Sequence, residues 1–274
     1  MSMDNTLSQY KSYLTTLGYS SITQTDYART ARHFLESTGG SYSRQSVFAF
    51  LATYGNQSST YRRWLMYALK SLFAFARQPW PVDKREIPKL SKAQRVALTV
   101  DEVNKLIAAS SENPLDRALL AVDSILGVRR KELSEMLVAD YVRPNIRVRT
   151  AKGGAERVRY LGEDVSDIVD RYLETRRGKS PYLFVSLQGV HLSVQSLSVR
   201  FRRLADAAGI PKGVGWHGIR RGVVTWLYQA GMREKELQEL FGWQSPVMPH
   251  LYIQLVEGEV DRKTKELHPM LKGK

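Results

Sequence analysis

The sequence predicts a mainly α-helical protein with one small β-hairpin, divided into two domains. Apolar residues recur at helical spacing over most of the 274 residues, and only residues 141–161 alternate apolar and charged side chains around a Gly-Gly turn. A basic stretch with three prolines follows residue 77 and has no clean period, which is typical of an extended linker. We therefore expect a helical domain over 1–80, a basic linker over 81–97, and a second domain over 98–274 with a C-terminal tail from 253.

Four helices are expected in the first domain. Apolar residues three and four positions apart place the first helix before Gly18. The second begins with a capping-box pattern, in which Ser21 is followed three positions later by Gln24, and it ends before a pair of glycines. A short third helix and a longer fourth one, from about 59 to 75, complete this half of the chain.

The second domain combines helices with the predicted hairpin. It opens with a second capping-box pair, Thr99 and Glu102. The alternating strands of the hairpin flank Gly153-Gly154, which places Lys152 beside the turn. Helices are expected over about 114–126, from 129 onwards, and over 164–175, 193–207, 217–230 and 233–241.

The charge of the chain suggests a polyanionic partner. There are 41 Lys and Arg against 27 Asp and Glu, a formal net charge of +14 with a sequence pI near 9.9. Nucleic acid is the most frequent partner of so basic a protein, although a merely soluble basic surface also fits the composition. Three side chains of the fourth helix and one of a later helix are candidate DNA contacts, and a solvated helix face explains them about as well: Arg62, Arg63, Lys70 and Arg221.

Composition excludes several other kinds of site. There is no cysteine, so disulfides, thiolate nucleophiles and cysteine metal ligands are excluded. The five histidines lack paired metal-ligand spacing and no phosphate-binding loop is present, so we expect neither a metal nor a cofactor. No apolar run approaches the ~18 residues of a membrane helix, and the N-terminus lacks signal-peptide features; a cytoplasmic protein is expected.

A group of cationic side chains near one tyrosine is the strongest candidate for chemistry. His217 and Arg220 lie one turn apart at the start of a predicted helix, where an imidazole and a guanidinium would bind a phosphate. A capping histidine beside a surface arginine would explain the pair without any chemistry. Trp243 and Tyr252 follow, nine positions apart.

Taken together, these motifs resemble the tyrosine recombinase (phage integrase) family, in particular compact Xer-like or archaeal and viral integrase members. HGIRRGVVTWLYQAG and LFGWQSPVMPHLY resemble its C-terminal signature, with Trp243 in the place of a second histidine. Gly127 to Leu133 resembles its upstream arginine motif, and Lys152 fits its hairpin lysine. The helical N-terminal half resembles the family's core-binding domain, which clamps DNA.

The resemblance implies a site-specific recombinase that acts on double-stranded DNA through a 3′-phosphotyrosyl intermediate. It implies integration and excision, or resolution of replicon dimers, by a dimer on one site and a tetramer in synapsis, without metal or nucleotide cofactor. The nucleophile is Tyr252, and Glu132 orients the site without taking part in the chemistry. The other implied catalytic residues are Arg129, Lys152, His217, Arg220 and Trp243.

Two other functions remain open at this point. A type IB topoisomerase would use the same chemistry without exchanging partners. A non-catalytic regulator could use residues 217–241 as a helix-turn-helix. The first arginine also depends on register, because Arg130 directly follows Arg129.

Overall fold

A computed structural model describes residues 3–89, 96–149 and 156–253. The chain divides into two compact units, residues 1–94 and residues 95–274. Within the described ranges, no helix is both long enough and apolar enough to span a membrane.

The first unit is a helical bundle around an aromatic core. Its helices are α1 (Met3–Thr16), α2 (Ser21–Thr38), α3 (Arg44–Ala52) and α4 (Ser59–Phe75). Tyr10, Phe34 and Phe73 are fully buried between them, and the Phe34 ring packs edge-on against Phe50 at 5.5 Å. Each of these large rings buries a wide apolar surface, which stabilises the unit.

The start of α2 differs from the predicted capping box. The N-cap is Ser20, whose hydroxyl accepts a hydrogen bond from the Thr23 amide at 3.3 Å. The Gln24 side chain donates to the Tyr19 carbonyl instead of accepting the Ser21 amide. The prediction was wrong by one position, because the sequence offers two adjacent serines and either can cap a helix.

Residues 80–89 also differ from the extended linker expected there. They fold against the first unit: Val82 is buried, the Trp80 ring packs edge-on against Phe73 at 5.2 Å, and a short 3-10 helix spans Lys84–Glu86. Arg44 anchors this segment by donating to Glu86 at 2.8 Å. Aromatic and acidic residues between the prolines therefore give the segment a fixed path that its composition did not indicate.

The second unit surrounds a buried central helix. Its helices are α5 (Val100–Ala109), α6 (Pro114–Leu126), α7 (Arg130–Ser134), α8 (Glu163–Thr175), α9 (Val194–Ala207), α10 (Trp216–Gln229), α11 (Glu234–Phe241) and α12 (Met248–Tyr252). Residues 118–123 of α6 are all buried. An antiparallel sheet of β1 (Tyr141–Val142), β2 (Asn145–Val148) and β3 (Arg157–Tyr160) runs in the order β1-β2-β3. The predicted fold class, mainly α with a small β element, is confirmed.

Two elements of this unit were not predicted. The hairpin gains a third strand, β1, because Tyr141 pairs with Ile146 and Val142 with Asn145. A two-residue strand is too short to show any periodicity. The second is α12, which no predicted helix covered; its Pro249 lies in the first turn, where proline is tolerated.

Candidate active site

The turn after α6 places the first arginine of the site. Gly127 caps α6 with φ of 52°, and a Cβ there would lie 3.0 Å from the Phe241 ring, so both conformation and packing require glycine. Asp123 stabilises the turn, because its side-chain oxygen accepts a hydrogen bond from the Val128 amide at 2.9 Å. Arg129 follows as the N-cap residue of α7.

Arg129 is oriented by a buried carboxylate. Its guanidinium Nη1 donates to Glu132 Oε1 at 2.8 Å, and its backbone amide donates to Oε2 at 3.0 Å. Burial raises the pKa of Glu132, but hydrogen bonds from Arg129 and the charge of Arg157 outweigh it, so the net pKa is lowered. Glu132 therefore stays ionised and holds Arg129, whose side chain is 41% exposed and free to meet a ligand.

Arg130 points elsewhere. Its Nη1 donates to the Ser198 hydroxyl of α9 at 2.6 Å, whereas Glu132 binds its neighbour. This geometry favours Arg129 over Arg130 as the arginine of the upstream motif.

Arg220 of α10 is the fully buried cation of the site. Its Nη1 donates to the Gly127 carbonyl at 2.5 Å, which ties α10 to the Arg129 turn. The guanidinium carbon lies 4.9–5.4 Å from three ring centres, a cation–π arrangement: Phe241, Trp243 and Tyr252. Burial lowers the pKa of Arg220, while Tyr252 and Glu132 raise it.

Three aromatic residues stack beside Arg220. The Trp243 indole lies 5.0 Å from the Tyr252 ring at an interplanar angle of 26°, and 4.9 Å from Phe241 at 19°. Tyr252 is the last residue of α12 and is half-buried. The chain between Trp243 and Tyr252 thus folds back so that residues nine positions apart are in contact.

Several buried donors in this cluster have no acceptor within the described part of the chain. They are Nε and Nη2 of Arg220, Nε1 of Trp243 and Nη1 of Arg157. Leaving a buried donor unsatisfied costs about 1–3 kcal/mol. Several such donors in one cluster are typical of a site that binds an anionic ligand.

His217 lies at the start of α10, one turn before Arg220. Burial lowers its pKa, and the charges of Arg130, Arg221, Arg220 and Arg129 lower it further. The imidazole is therefore neutral at physiological pH and can accept a proton. Arg221 is half-buried on the same helix.

The remaining predicted residues belong to other parts of the chain. Lys152 is outside the described residues. Arg62, Arg63 and Lys70 belong to α4 of the first unit, where Lys70 is exposed and Arg63 donates to the Tyr67 hydroxyl at 3.0 Å. The structure therefore brings together six of the residues that the sequence singled out: Arg129, Glu132, His217, Arg220, Trp243 and Tyr252.

A protein-family model matches the part of the chain that carries these motifs. The model of the phage integrase family matches residues 97–259. The chain belongs to this family. The enzyme class predicted from the sequence, a tyrosine-type site-specific DNA recombinase, is confirmed, and the topoisomerase and helix-turn-helix regulator alternatives are not supported.

Among its relatives are two proteins named tyrosine recombinases. XerA of Pyrococcus horikoshii is 27% identical over 97% of this chain and 96% of its own length. XerD of Listeria monocytogenes is 24% identical over 92% of this chain and 94% of its own length.

Solved structures share the fold of this integrase-family chain. The crystal structure of a lambda integrase(75–356) dimer bound to a COC′ core site matches with a TM-score of 0.74 at 21% identity, over 93% of this chain and 96% of that one. The XerA recombinase structure matches with a TM-score of 0.59 at 24% identity, over 98% and 99%.

Two buried ionisable residues beside the family motifs were not singled out from the sequence. Arg157 donates from Nη2 to Glu132 at 3.2 Å, and it pairs in register with core-facing Val148, so the alternation of the strands could have revealed it. Asp123 gave no such signal, because α6 also contains Asp116, Arg117 and Ser124 and the pattern does not distinguish Asp123 from them.

Asp123 is expected to make the stability of this integrase-family chain pH-dependent. Burial raises its pKa to about 8, although the Val128 amide and Arg220 lower it in part. Folding therefore favours the protonated acid; this stabilisation is complete below about pH 4 and is lost as pH rises through about 8. Asp123→Asn keeps an acceptor for Val128 but cannot ionise. Its stability relative to the wild type should rise between pH 5 and 8, by about 4 kcal/mol in urea unfolding. Parallel curves for the two proteins would contradict this expectation.

Proposed function

We propose that this recombinase cleaves one strand of double-stranded DNA with Tyr252 as the nucleophile and then rejoins it to a new partner strand. The observation that carries the proposal is the set of unsatisfied buried donors on Arg220 and Trp243, two side chains that pack against the Tyr252 ring at 5.3 Å and 5.0 Å. Phosphate oxygens are strong acceptors and would satisfy these donors in the bound state.

The arrangement suits a reaction that develops charge on phosphorus-bound oxygens. In the first step the Tyr252 hydroxyl oxygen forms a bond to phosphorus, and the bond between phosphorus and the 5′-oxygen breaks. Arg129 and Arg220 stabilise the extra negative charge of the pentacoordinate transition state, because a guanidinium stays charged and can grip two oxygens. The indole N–H of Trp243 adds a further donor.

Two protons must move for the step to balance. The tyrosine loses one, which neutral His217 can accept directly or through a non-bridging phosphate oxygen. The departing 5′-oxygen gains one, which we assign to Lys152 as general acid. The products are a 3′-phosphotyrosyl link and a free 5′-hydroxyl, and attack by another 5′-hydroxyl reverses the step with no external energy source.

A covalent-capture experiment tests this function directly. DNA that the wild-type protein binds is selected from a random-sequence pool of duplexes and is nicked near the cleavage point, so that the strand end diffuses away and the intermediate accumulates. A protein–DNA adduct that survives denaturant is expected on the selected duplex and not on an unselected one. A protein that shifts this duplex on a native gel but forms no adduct at any nick position would refute the proposal.

Lys152→Ala should slow cleavage of the selected duplex by about 10²–10⁴-fold, the usual contribution of a general acid. The deficit should largely disappear when sulfur replaces the 5′-bridging oxygen, because a thiolate leaves without a proton donor. Single-turnover rates on the two substrates provide the measurement. An equal deficit on both would show that Lys152 contributes to binding and is not the general acid.

The first unit is proposed to hold DNA through α4, where Lys70 is exposed and where Arg62 and Arg63 precede it. Lys70→Glu should weaken binding at low salt and make its salt dependence shallower, as the loss of a phosphate contact does. Lys11→Glu, at an exposed position of α1, makes the same charge change and is the matched control; it should weaken binding much less. Unchanged affinity and salt slope for Lys70→Glu would remove this contact.

The assembly on DNA is proposed to be a dimer on one site and a tetramer when two sites pair. The similar lambda integrase structures include a dimer bound to a core site and a tetramer bound to a Holliday junction. Sedimentation of the complex with the selected duplex should give two protomers per site. A single protomer on a site that is still cleaved and exchanged would contradict this stoichiometry.

A further inference from the structure

Two arginines of β3 contact two different segments of the active site. Arg157 and Arg159 are two positions apart, so their side chains lie on the same face of the strand. The alternate residues Val158 and Tyr160 are 58% and 62% exposed on the other face. β3 thus presents its polar side chains to the interior of the unit and its apolar ones to the outside, the reverse of the usual pattern.

Arg157 and Arg129 both bind the buried carboxylate of Glu132. Its side chain is 6% exposed, and its Nη2 donates to Glu132 Oε2, while Arg129 donates to Oε1 of the same carboxylate. A buried carboxylate that loses one of two cationic partners is destabilised, because its charge is then compensated by the other partner alone. The position of the Arg129 guanidinium therefore depends on Arg157 through the carboxylate to which both donate.

Arg157 also packs against the residue that precedes Trp243. Gly242 ends α11 in the left-handed conformation with φ of 63°. A Cβ at this position would lie 3.2 Å from Arg157 Nη1, so the guanidinium occupies the space next to the glycine. One side chain thus contacts the turns that carry Arg129 and Trp243.

Arg159 caps the C-terminal end of α11. Its Nη2 donates to the carbonyls of Glu239 at 2.8 Å and Leu240 at 2.9 Å, and its Nε donates to Leu240 at 3.1 Å. The last carbonyls of a helix have no partner within the helix, and a cation there is doubly favourable. Phe241 and Trp243 follow at once, and Trp243 stacks on Tyr252.

We propose that Arg157 and Arg159 are positioning residues of the cleavage step. Arg157 orients Arg129 through Glu132, and Arg159 fixes the end of α11 and thereby the Trp243–Tyr252 stack. The inference rests on the proposed function, and each arginine acts through a protein neighbour. Displacement of a reacting group by about 1 Å can cost about 10²-fold in rate, so small shifts at either contact are sufficient.

The first test compares three variants on the nicked, selected duplex at saturating protein. Arg157→Met and Arg159→Met keep most of the side-chain length and remove the donors; each should lower the single-turnover cleavage rate by about 10–100-fold. Arg147→Met is the matched control, because Arg147 is exposed on the neighbouring strand β2 and the charge change is the same. It should cleave at the wild-type rate.

The second test asks which neighbour each arginine acts through. In an Arg129→Ala background, Arg157→Met should cause little further loss of rate, and in a Trp243→Ala background, Arg159→Met should cause little further loss. A merely structural role would lower the fraction of folded protein. The variant would then lose the same factor in rate in the wild-type background and in the mutant background. Arg157→Lys, which keeps the charge but not the fork, should cleave at an intermediate rate and provides the measurement where the methionine variant does not fold.

The outcomes separate this inference from the proposed function. No adduct with the wild-type protein would remove the function itself. If the wild-type protein forms the adduct, two results overturn the role of Arg157: wild-type rates for Arg157→Met or Arg157→Lys, or an equal loss in both backgrounds. A wild-type rate for Arg159→Met overturns the role of Arg159.

Discussion

Replacing Tyr252 with phenylalanine is expected to abolish the covalent adduct while leaving DNA affinity nearly unchanged. Only one hydroxyl is lost, and the ring that stacks on Trp243 and covers the Arg220 guanidinium remains. The fold should therefore persist, but no oxygen remains to bond to phosphorus. A denaturing gel measures the adduct, and a native gel with the same selected duplex measures affinity.

Tyr160→Phe is the matched control for this variant. Tyr160 lies on β3 with 62% of its surface exposed, so the same hydroxyl loss there should change neither measurement. An adduct that persists in Tyr252→Phe would show that another residue is the nucleophile, and the interpretation of the aromatic stack would fail with it.

Arg129→Ala and Arg220→Ala are expected to lower the cleavage rate by at least about 10²–10³-fold each, the usual cost of one donor aimed at a developing oxyanion. Arg220 should also affect stability, because it is fully buried and its Nη1 bonds to Gly127. Arg220→Lys, which keeps the charge in the same place, separates the two effects. It should fold more stably than the alanine variant and yet cleave slowly, since an ammonium cannot reproduce the fork.

Arg130→Ala is the control for Arg129→Ala and Arg220→Ala. Arg130 bonds to Ser198 and not to Glu132, so its loss should change the rate by less than about 10-fold, an effect smaller than that of either catalytic donor. The measurement is the single-turnover rate of adduct formation at saturating protein. If Arg130→Ala is inactive and Arg129→Ala is active, the register of the upstream motif is wrong and Glu132 does not orient the catalytic arginine.

Much of the fold and the composition of the site could be predicted because local rules determine them. Thr99 and Glu102 form the predicted capping box, with the Thr99 amide donating to Glu102 at 2.8 Å. Gly242, which directly follows the predicted helix over 233–241, ends α11 in the left-handed conformation. The spacing of Trp243 and Tyr252 was readable from the sequence, although their stacking was not.

Features that depend on tertiary packing could not be predicted in the same way. Helix α12 is five residues long and contains a proline, so nothing local favours it; contacts of Tyr252 with Trp243 and of Ile253 with the core accompany it. The choice of Ser20 over Ser21 as N-cap depends on one hydrogen bond. Asp123 and Arg157 acquire their roles only when α6, α7 and β3 meet, since an isolated acid or arginine in the sequence gives no indication of its partner.

Identification of the residue that becomes attached to DNA tests the central claim most directly. Trypsin cleavage after Lys235 and Arg262 gives a peptide, residues 236–262, that contains a single tyrosine. Mass spectrometry of the nuclease-treated, trypsin-digested adduct should find the nucleotide remnant on this peptide, at Tyr252 and joined through a 3′-phosphate. A remnant on any other residue, or one joined through a 5′-phosphate, would contradict the account.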